Sequence, residues 1–245
     1  MSALAEMIEK SMAAVLNEAW DIRNGTVVPA TDSVALKNGA VKIEAAYLYA
    51  DLADSTLLQK AYKPEFAAKV IRMYLRGACD IIRDCGGSIK SFDGDRVMGV
   101  FIGDSKRTDA ADAALKINWL VAKAINPLLQ AHRSDTGSYW ILEHGIGIDV
   151  GPAFIVRAGV NNRSGEHNHN DLISVGEAPN IAAKLSGLRG AEAGPLVITE
   201  AVYSRLADSS KFGGTDNKNM WSGPHTTLAG PHTVKVYKST WRRTA

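Results

Sequence analysis

The sequence lacks the long apolar segments that membrane insertion requires. None of its hydrophobic stretches approaches the roughly 20 residues that span a bilayer as a helix. The first 20 residues also carry Glu6, Glu9, Lys10 and Glu18, so they do not form the uninterrupted apolar core of a signal peptide. We therefore expect a cytoplasmic protein that has no membrane partner.

The sequence is also poor in cysteine and has no excess of charge of one sign. Its 245 residues include two cysteines, Cys79 and Cys85, which we expect to be free thiols because nothing else indicates an oxidising compartment. The formal net charge is +2, and no run of Lys and Arg is longer than two residues. A disulfide scaffold is therefore excluded, and no nucleic acid partner is expected.

What the chain does have is an ordinary globular composition, with 46% hydrophobic and 22% charged residues. Hydrophobic periodicity predicts an amphipathic N-terminal helix followed by the order β-α-β-β-α-β-β-α-β. The predicted helices are residues 3–23, 54–86, 108–130, 176–188 and 200–206, and the predicted strands are 41–52, 88–92, 96–101, 141–150, 152–160, 172–175, 196–199 and 234–237. Residues 209–227 are the one segment with a disordered composition.

This order of elements predicts an α+β fold. It is the split βαββαβ pattern of ferredoxin-like and polymerase-palm domains, here with an added N-terminal helix.

Two aspartates at the ends of predicted strands are the sharpest chemical feature. Alternation along residues 41–52 places Tyr47, Tyr49 and Asp51 on one strand face, and Asp95 lies in a hairpin turn. Hard divalent cations prefer oxygen ligands, and phosphoryl chemistry often uses two such ions close together. Taken alone, each aspartate also fits a structural role, Asp95 in the turn and Asp51 as a helix cap.

Four motifs in order strengthen the chemical interpretation. They are YADLADST at residues 49–56, CGGSIKSFDGDRVMGVF at 85–101, GIGIDVGP at 145–152 and VGEAPNIAAKL at 175–185. Together they resemble the catalytic domain of class III adenylate and guanylate cyclases. The resemblance implies a cyclase catalytic domain at residues 41–245, preceded by a helix and linker at 1–40. It also implies a lyase that closes a nucleoside triphosphate into a 3′,5′-cyclic monophosphate.

The resemblance implies a two-metal site. By alignment of the motifs, Asp51, the backbone carbonyl of Leu52 and Asp95 hold two divalent ions, Mn²⁺ or Mg²⁺. One ion would activate the ribose 3′-hydroxyl for attack on the α-phosphorus, and the other would neutralise the triphosphate.

Phosphate contacts are implied at the start of the following helix. The backbone N–H groups expected to bind the β- and γ-phosphates are those of Ala53, Asp54, Ser55 and Thr56. Two cations that are common in the family are absent, because Ala229 stands in place of a phosphate-binding lysine and Gly145 in place of an arginine. Some phosphate contacts must therefore come from elsewhere.

The fourth motif supplies two implied catalytic residues. In the family this helix carries an Asn and, four residues on, an Arg; here they are Asn180 and Lys184, on one helix face. Asn180 would orient the ribose and Lys184 would stabilise charge on the α-phosphate, although a lysine lacks the bidentate fork of an arginine. Both act on the substrate of the partner subunit in homodimeric cyclases, so the resemblance implies a homodimer with composite active sites.

The base pocket departs from both purine patterns. Ser91 and Ile173 occupy the positions that contact the purine in adenylate and guanylate cyclases. Tyr49 shares a strand face with Asp51, and its ring would make the pocket smaller. Asp93 offers an acceptor and Arg96 donors, a combination that suits uracil, although both residues also fit an exposed turn.

A class III domain without the purine pair is similar to the pyrimidine cyclases of bacterial Pycsar anti-phage defence. The resemblance implies a uridylate or cytidylate cyclase, with UTP favoured over CTP, whose product activates a separate cyclic-nucleotide-sensing effector. Two alternatives stay open at this point. One is a purine cyclase with an atypical pocket, and the other is a degenerate cyclase-homology module that regulates or dimerises.

Overall fold

The computed structural model describes residues 2–132, 139–160, 169–189 and 194–245. Its helices are α1 (Ala3–Asn17), α2 (Ser55–Ala61), α3 (Pro64–Asp84), α4 (Lys106–Trp119), α5 (Asn126–Ala131), α6 (Glu177–Ser186), α7 (Glu200–Tyr203) and α8 (Asp208–Lys211). Its strands are β1 (Asp21–Asn24), β2 (Gly39–Leu52), β3 (Ser88–Asp93), β4 (Arg96–Phe101), β5 (His144–Val160), β6 (His169–Val175), β7 (Leu196–Thr199), β8 (Phe212–Gly213), β9 (Lys218–Asn219), β10 (Ser222–Ala229) and β11 (His232–Ser239).

The chain divides into two compact units. The first contains Met1–Glu44 and Pro152–Gly176, and the second contains Ala45–Gly151 and Glu177–Ala245.

In the first unit, the N-terminal helix is shorter than predicted. The helix ends at Asn17 rather than near residue 23, because Asp21–Asn24 forms β1 and pairs in parallel with the first residues of β2. Helix α1 buries none of its residues and exposes a row of large apolar side chains: Leu4, Met7, Ile8, Met12, Val15 and Leu16. The other strands of the unit are β6 and the end of β5, which pair antiparallel.

The second unit is built on a mixed sheet with the strand order β10-β11-β7-β5-β2-β4-β3. Alternate residues of β2, including Leu48, Ala50 and Leu52, are buried in a core with Tyr74 of α3 and Leu115 of α4. Burial of these apolar side chains is the main favourable contribution to folding of the unit. Helices and a mixed sheet in one layered unit agree with the predicted α+β class.

One prediction about strands and one about disorder were wrong. The predicted strands 141–150 and 152–160 are one strand, β5, because the backbone passes through Gly151 without a turn. The segment predicted to be disordered, residues 209–227, contains β8, β9 and most of α8 and β10. It is ordered by burial of Trp221, whose indole N–H donates to the Ser210 carbonyl over 2.7 Å, and by pairing of β10 with β11.

The long helix predicted at 108–130 is interrupted. Helix α4 is followed by a π-helical segment, Leu120–Ile125, and then by α5, which has a proline in its first turn. In the described ranges, no helix is long and apolar enough to cross a membrane.

The first residue of β5, in the sheet of the second unit, is a buried histidine, His144. Its Nε2 has no hydrogen-bond partner among the described residues, and its ring lies 6.2 Å from that of Tyr74. Burial, with smaller contributions from the charges of Arg189 and Arg242, lowers the pKa of His144 to about 3. The folded protein therefore keeps this imidazole neutral at pH values where an unfolded chain would protonate it.

We predict that His144 makes the protein acid-sensitive. Its folded-state pKa is below the unfolded value of about 6.5. The contribution of His144 to the free energy of unfolding is therefore complete above pH 6.5 and is lost as the pH falls toward 3. Between pH 6.5 and 4.5 the wild type should lose roughly 2 to 3 kcal/mol more unfolding free energy than His144→Gln. Urea unfolding at both pH values measures this difference, and equal losses in the two proteins would contradict it.

Candidate active site

Three neighbouring strands bring a row of charged side chains together. Asp51 of β2 is directly opposite Arg96 of β4, and Arg96 is directly opposite Asp93 of β3. Directly opposed residues of antiparallel strands point to the same face of a sheet. The result is an acid, base, acid row on one face, and it contains three of the residues that the sequence predicted for the site.

A second row lies two residues further along the same strands. Tyr49 and Ser91 are both opposite Met98, on the same face as the first row. The Arg96 guanidinium lies 5.4 Å from the centre of the Tyr49 ring and donates to Asp93 over 2.6 Å. Burial raises the pKa of Tyr49, so its hydroxyl stays protonated at neutral pH. Tyr49, Asp93 and Arg96, which were predicted separately as base contacts, therefore form one cluster.

The Arg96 side chain retains an unused donor. Its Nε is buried and has no hydrogen-bond acceptor among the described residues, while its Nη2 is engaged by Asp93. A buried donor without an acceptor is unfavourable by about 1 to 3 kcal/mol. A ligand that supplies a carbonyl oxygen would satisfy this donor if the partly exposed side chain turned toward it.

The second predicted metal aspartate lies in the turn that joins β3 and β4. Gly94 adopts a φ of 62° there, a conformation that favours glycine. Asp95 follows it and lies near enough to Asp51 for its charge to act on that carboxyl. Burial raises the pKa of the Asp51 carboxyl and the charge of Asp95 raises it further, while a hydrogen bond from Arg189 opposes the change. The structure thus brings the two carboxylates together.

The side chain and the backbone of Leu52 lie in different surroundings. The side chain is buried in the core, and the ladder between β2 and β4 ends one residue earlier, at Asp51. The predicted role of Leu52 uses only its carbonyl group, so it is compatible with the buried side chain.

One of the four predicted phosphate-binding amides is already engaged. The N–H of Ala53 donates to the carbonyl of Glu143 over 2.8 Å, so the prediction for Ala53 was wrong. Asp54 precedes α2 in the left-handed conformation, with a φ of 56°. Ser55 and Thr56 form the first turn of α2, where amides have no acceptor within the helix.

Helix α6 presents the two predicted catalytic side chains on its exposed face. Asn180 and Lys184 are exposed, whereas Ile181 and Leu185 are buried against the sheet. Lys184 reaches the turn between β10 and β11, where a β-carbon at Gly230 would lie 2.8 Å from its Nζ. Its ammonium group thus lies next to Ala229, the position at which the expected phosphate-binding lysine is missing.

Ile173 belongs to the first unit. It lies on β6 opposite Val156 and its side chain is exposed. The prediction that it lines the base pocket stays a prediction.

Arg189 is a site residue that the sequence analysis missed. Its Nη2 lies 2.9 Å from Oδ2 of Asp51, and its Nη1 donates to the carbonyl of Ser186. Arg189 follows the fourth motif and lies just outside the predicted helix, so no motif indicated it. The one sequence feature related to it is Gly145, which has no side chain and lies against the same part of α6.

The oxygen donors at this edge fit divalent metal ions. No group of three or more His, Cys, Asp and Glu side chains suited to a metal occurs in the described part of the chain. A set of two carboxylates and a carbonyl suits a hard cation that takes its remaining ligands from water and substrate phosphates, as Mg²⁺ commonly does. Such a cation would offset the repulsion between the carboxylates of Asp51 and Asp95.

Comparison with known proteins gives close relatives over nearly the whole chain. The chain is 35% identical to a uridylate cyclase of Rhodovulum sp. (strain MB263), covering 96% of both chains. It is 39% identical to a uridylate cyclase of Burkholderia cepacia over 99% of both chains, and 39% identical to one of Xanthomonas perforans over 93% of both. No family model matches the sequence.

Solved structures show the same fold. The adenylyl cyclase CyaB from P. aeruginosa superposes with a TM-score of 0.66 at 19% identity, covering 83% of this chain and 97% of that one. The guanylyl cyclase Cya2 gives a TM-score of 0.66 at 19% identity, covering 82% and 94%. These similarities confirm the predicted α+β cyclase fold.

We predict that the site depends on direct backbone packing between β5 and α6. A β-carbon at Gly147 would lie 2.2 Å from the carbonyl oxygen of Ala182, so Gly147→Ala should destabilise the protein by about 2 kcal/mol or more. Gly151→Ala is the matched control on the same strand, since its β-carbon would meet Ala178 at an ordinary 3.4 Å. It should change stability by less than about 0.5 kcal/mol. Urea unfolding followed by circular dichroism compares the two, and similar losses would contradict the prediction.

Proposed function

Since the chain belongs to the uridylate cyclase family, we propose that it converts UTP into 3′,5′-cyclic UMP and pyrophosphate at the edge formed by β2, β3 and β4. In this reaction the ribose 3′-oxygen bonds to the α-phosphorus and the bond from that phosphorus to the β-phosphate oxygen breaks. The 3′-hydroxyl proton is released and pyrophosphate leaves. The observation that carries the proposal is the cluster of Tyr49, Asp93 and Arg96 beside Asp51.

The chemistry of this cluster favours a uracil ring. The unpaired Nε–H of Arg96 requires a carbonyl acceptor, and the carboxylate of Asp93 accepts from a ring N–H. Uracil offers two carbonyl oxygens and one N–H, whereas cytosine presents an amino group in place of one carbonyl. The Tyr49 ring, held by the Arg96 guanidinium, supplies an apolar surface for the base.

Discrimination by such a cluster can be large. Cytosine has no hydrogen on its N3 and would present a lone pair to the Asp93 carboxylate, so it forfeits a hydrogen bond to a charged acceptor, which is worth about 1.5 to 3 kcal/mol. That range corresponds to roughly ten- to hundredfold in relative affinity. UTP is therefore favoured over CTP.

We propose that Asp51, Asp95 and the Leu52 carbonyl hold two divalent ions, Mn²⁺ or Mg²⁺. When bound, the ions make the ribose 3′-hydroxyl a better nucleophile and neutralise charge on the triphosphate. The supporting observation is the pair of close carboxylates, whose mutual repulsion contributes to the raised pKa of Asp51. Asp54, Ser55 and Thr56 would contribute backbone N–H groups to the phosphates at the start of α2.

Asn180 and Lys184 would complete the site from a second copy of the chain. Asn180 would hold the ribose so that its 3′-oxygen faces the α-phosphorus, and Lys184 would stabilise the charge that develops there. Both side chains are presented to solvent on one face of α6, as residues of a composite site in a twofold dimer must be.

We further propose that the enzyme works in the cytoplasm, and that its cyclic nucleotide activates a separate effector in defence against phage. The free thiols of Cys79 and Cys85 agree with a reducing compartment. The defence role rests on the similarity to pyrimidine cyclases.

The purified protein should convert UTP to cyclic UMP and leave ATP and GTP largely unreacted, with CTP reacting at least about tenfold more slowly. Each nucleotide is incubated separately with Mn²⁺, and the products are identified by mass. Asp51→Ala should abolish the product, because it removes one of the proposed metal ligands. Asp216→Asn is the matched control, since this exposed aspartate pairs with Lys218 and Thr215 on a hairpin of the second unit.

Cyclic AMP or cyclic GMP as the main product would contradict the base assignment, and no product from any nucleotide would favour a regulatory module. Phage plaque counts on cells carrying the intact system with wild-type protein or with Asp51→Ala test the defence role. Equal plaque counts in the two would contradict it.

The composite site predicts complementation between two inactive variants. Asp51→Asn damages the half of the site that would bind metal, and Asn180→Ala damages the half that would hold the ribose. Each variant should therefore be inactive alone. A 1:1 mixture with random subunit exchange contains about half heterodimers, each with one intact site, and should regain up to about a quarter of wild-type activity. A mixture of Asp51→Asn with Asp95→Asn, which damages the same half twice, is the control and should regain none. Equal activity of the two mixtures would contradict the composite site.

A further inference from the structure

The contact of Arg189 with Asp51 has no role in the chemistry described so far. Nη2 of Arg189 lies 2.9 Å from Oδ2 of Asp51, and Nη1 donates to the carbonyl oxygens of Ser186 at 2.6 Å and Leu188 at 3.0 Å. The guanidinium is therefore directed at the metal carboxylate by the last turn of α6. Its side chain is 38% exposed, so it also faces solvent, whereas that of Asp51 is 19% exposed.

This guanidinium fills the space that a side chain on β5 would need. A β-carbon built at Gly145 would lie 2.6 Å from Nη1 of Arg189 and 2.3 Å from the carbonyl oxygen of Ser186. Neither distance allows a real β-carbon. The glycine thus leaves room for a cation that comes from the end of α6, at the position where β5 itself carries none.

A divalent ion on Asp51 competes with this contact. Such an ion would use a lone pair of the same carboxylate that accepts the hydrogen bond from Arg189, and its positive charge would repel the guanidinium. Metal binding would therefore weaken the contact between Arg189 and Asp51 and free the guanidinium to leave it. The released guanidinium, anchored by its short link to α6, remains at the edge where a triphosphate would lie.

We propose that Arg189 is a substrate-binding residue with two successive partners, Asp51 in the metal-free protein and the β- and γ-phosphates once metal and nucleotide are bound. This rests on the proposed function. Planar guanidinium groups bind phosphate oxygens with two parallel hydrogen bonds. Arg189 supplies the phosphate-binding charge that positions 145 and 229 lack.

Replacement of Arg189 should change the affinities for metal and for triphosphate in opposite directions. Removing Arg189 removes a competitor for Asp51, so Mn²⁺ alone should bind more tightly. Removing it also deletes a phosphate ligand, so a triphosphate should bind more weakly. A residue that merely supports the local structure would weaken both, because loss of structure disorganises the whole site.

The experiment measures binding rather than turnover, by calorimetry on the full chain. Mn²⁺ alone and inorganic tripolyphosphate at saturating Mn²⁺ are the two probes, and neither depends on the identity of the base. For Arg189→Met, which keeps the aliphatic part of the side chain, the Kd for Mn²⁺ should fall about two- to fivefold, as for loss of a partly exposed ion pair. The Kd for tripolyphosphate should rise about ten- to a hundredfold.

Arg189→Lys is the second variant, and it keeps the charge without the fork. Its affinity for tripolyphosphate should lie between those of the wild type and Arg189→Met. Because the exchange preserves size and charge, it keeps the test decisive if Arg189→Met folds poorly.

The outcomes separate this assignment from the proposed function. If Asp51→Asn binds Mn²⁺ as tightly as the wild type, the metal site is wrong and both proposals are overturned. If Asp51→Asn loses Mn²⁺ binding and Arg189→Met leaves the Kd for tripolyphosphate unchanged, the proposed metal site stands and the role of Arg189 is overturned. Weaker binding of both probes by Arg189→Met also overturns it.

Discussion

The direct contact between the backbones of β5 and α6 is the constraint on which the candidate site depends. Gly145 and Gly147 have no side chains, so the carbonyl groups of the helix come within van der Waals distance of the strand. No side chain can act as a spacer there, and the depth of α6 is therefore fixed. That depth decides which side chains of α6 face solvent, and it brings the guanidinium of Arg189 to Asp51.

Charge alternation on the sheet is the second constraint. Arg96 stands between Asp93 and Asp51, and Arg189 approaches Asp51 from α6. These cations offset the repulsion between the close carboxylates, so the protein can fold with its oxygen donors in place before any ligand arrives. Because Arg96 lies between Asp93 and Asp51 in this row, the residues proposed as base contacts and those proposed as metal ligands occupy adjacent positions on one face of the sheet.

Much of this could be predicted from the sequence, because the information is local. Period-two alternation placed Tyr49 and Asp51 on one strand face, and the Asp-Gly-Asp turn placed Asp95 at a hairpin. The rest depends on contacts between distant segments. The amide of Ala53 is taken by Glu143, and Trp221 orders a segment whose composition suggested disorder. The position of Arg189 depends on Gly145, which lies 44 positions earlier in the sequence, and no local sequence pattern indicates that the two are in contact.

The packing at Gly145 also limits how such an enzyme can change over generations. A side chain on β5 at this position collides with the backbone of Ser186 as well as with the guanidinium of Arg189. Replacing Arg189 alone removes one obstacle and leaves the other, so a cation cannot move onto the strand until α6 itself retreats. Each single substitution toward a cation on β5 is therefore unfavourable. A lineage that carries its cation at the end of the helix is therefore held there by epistasis.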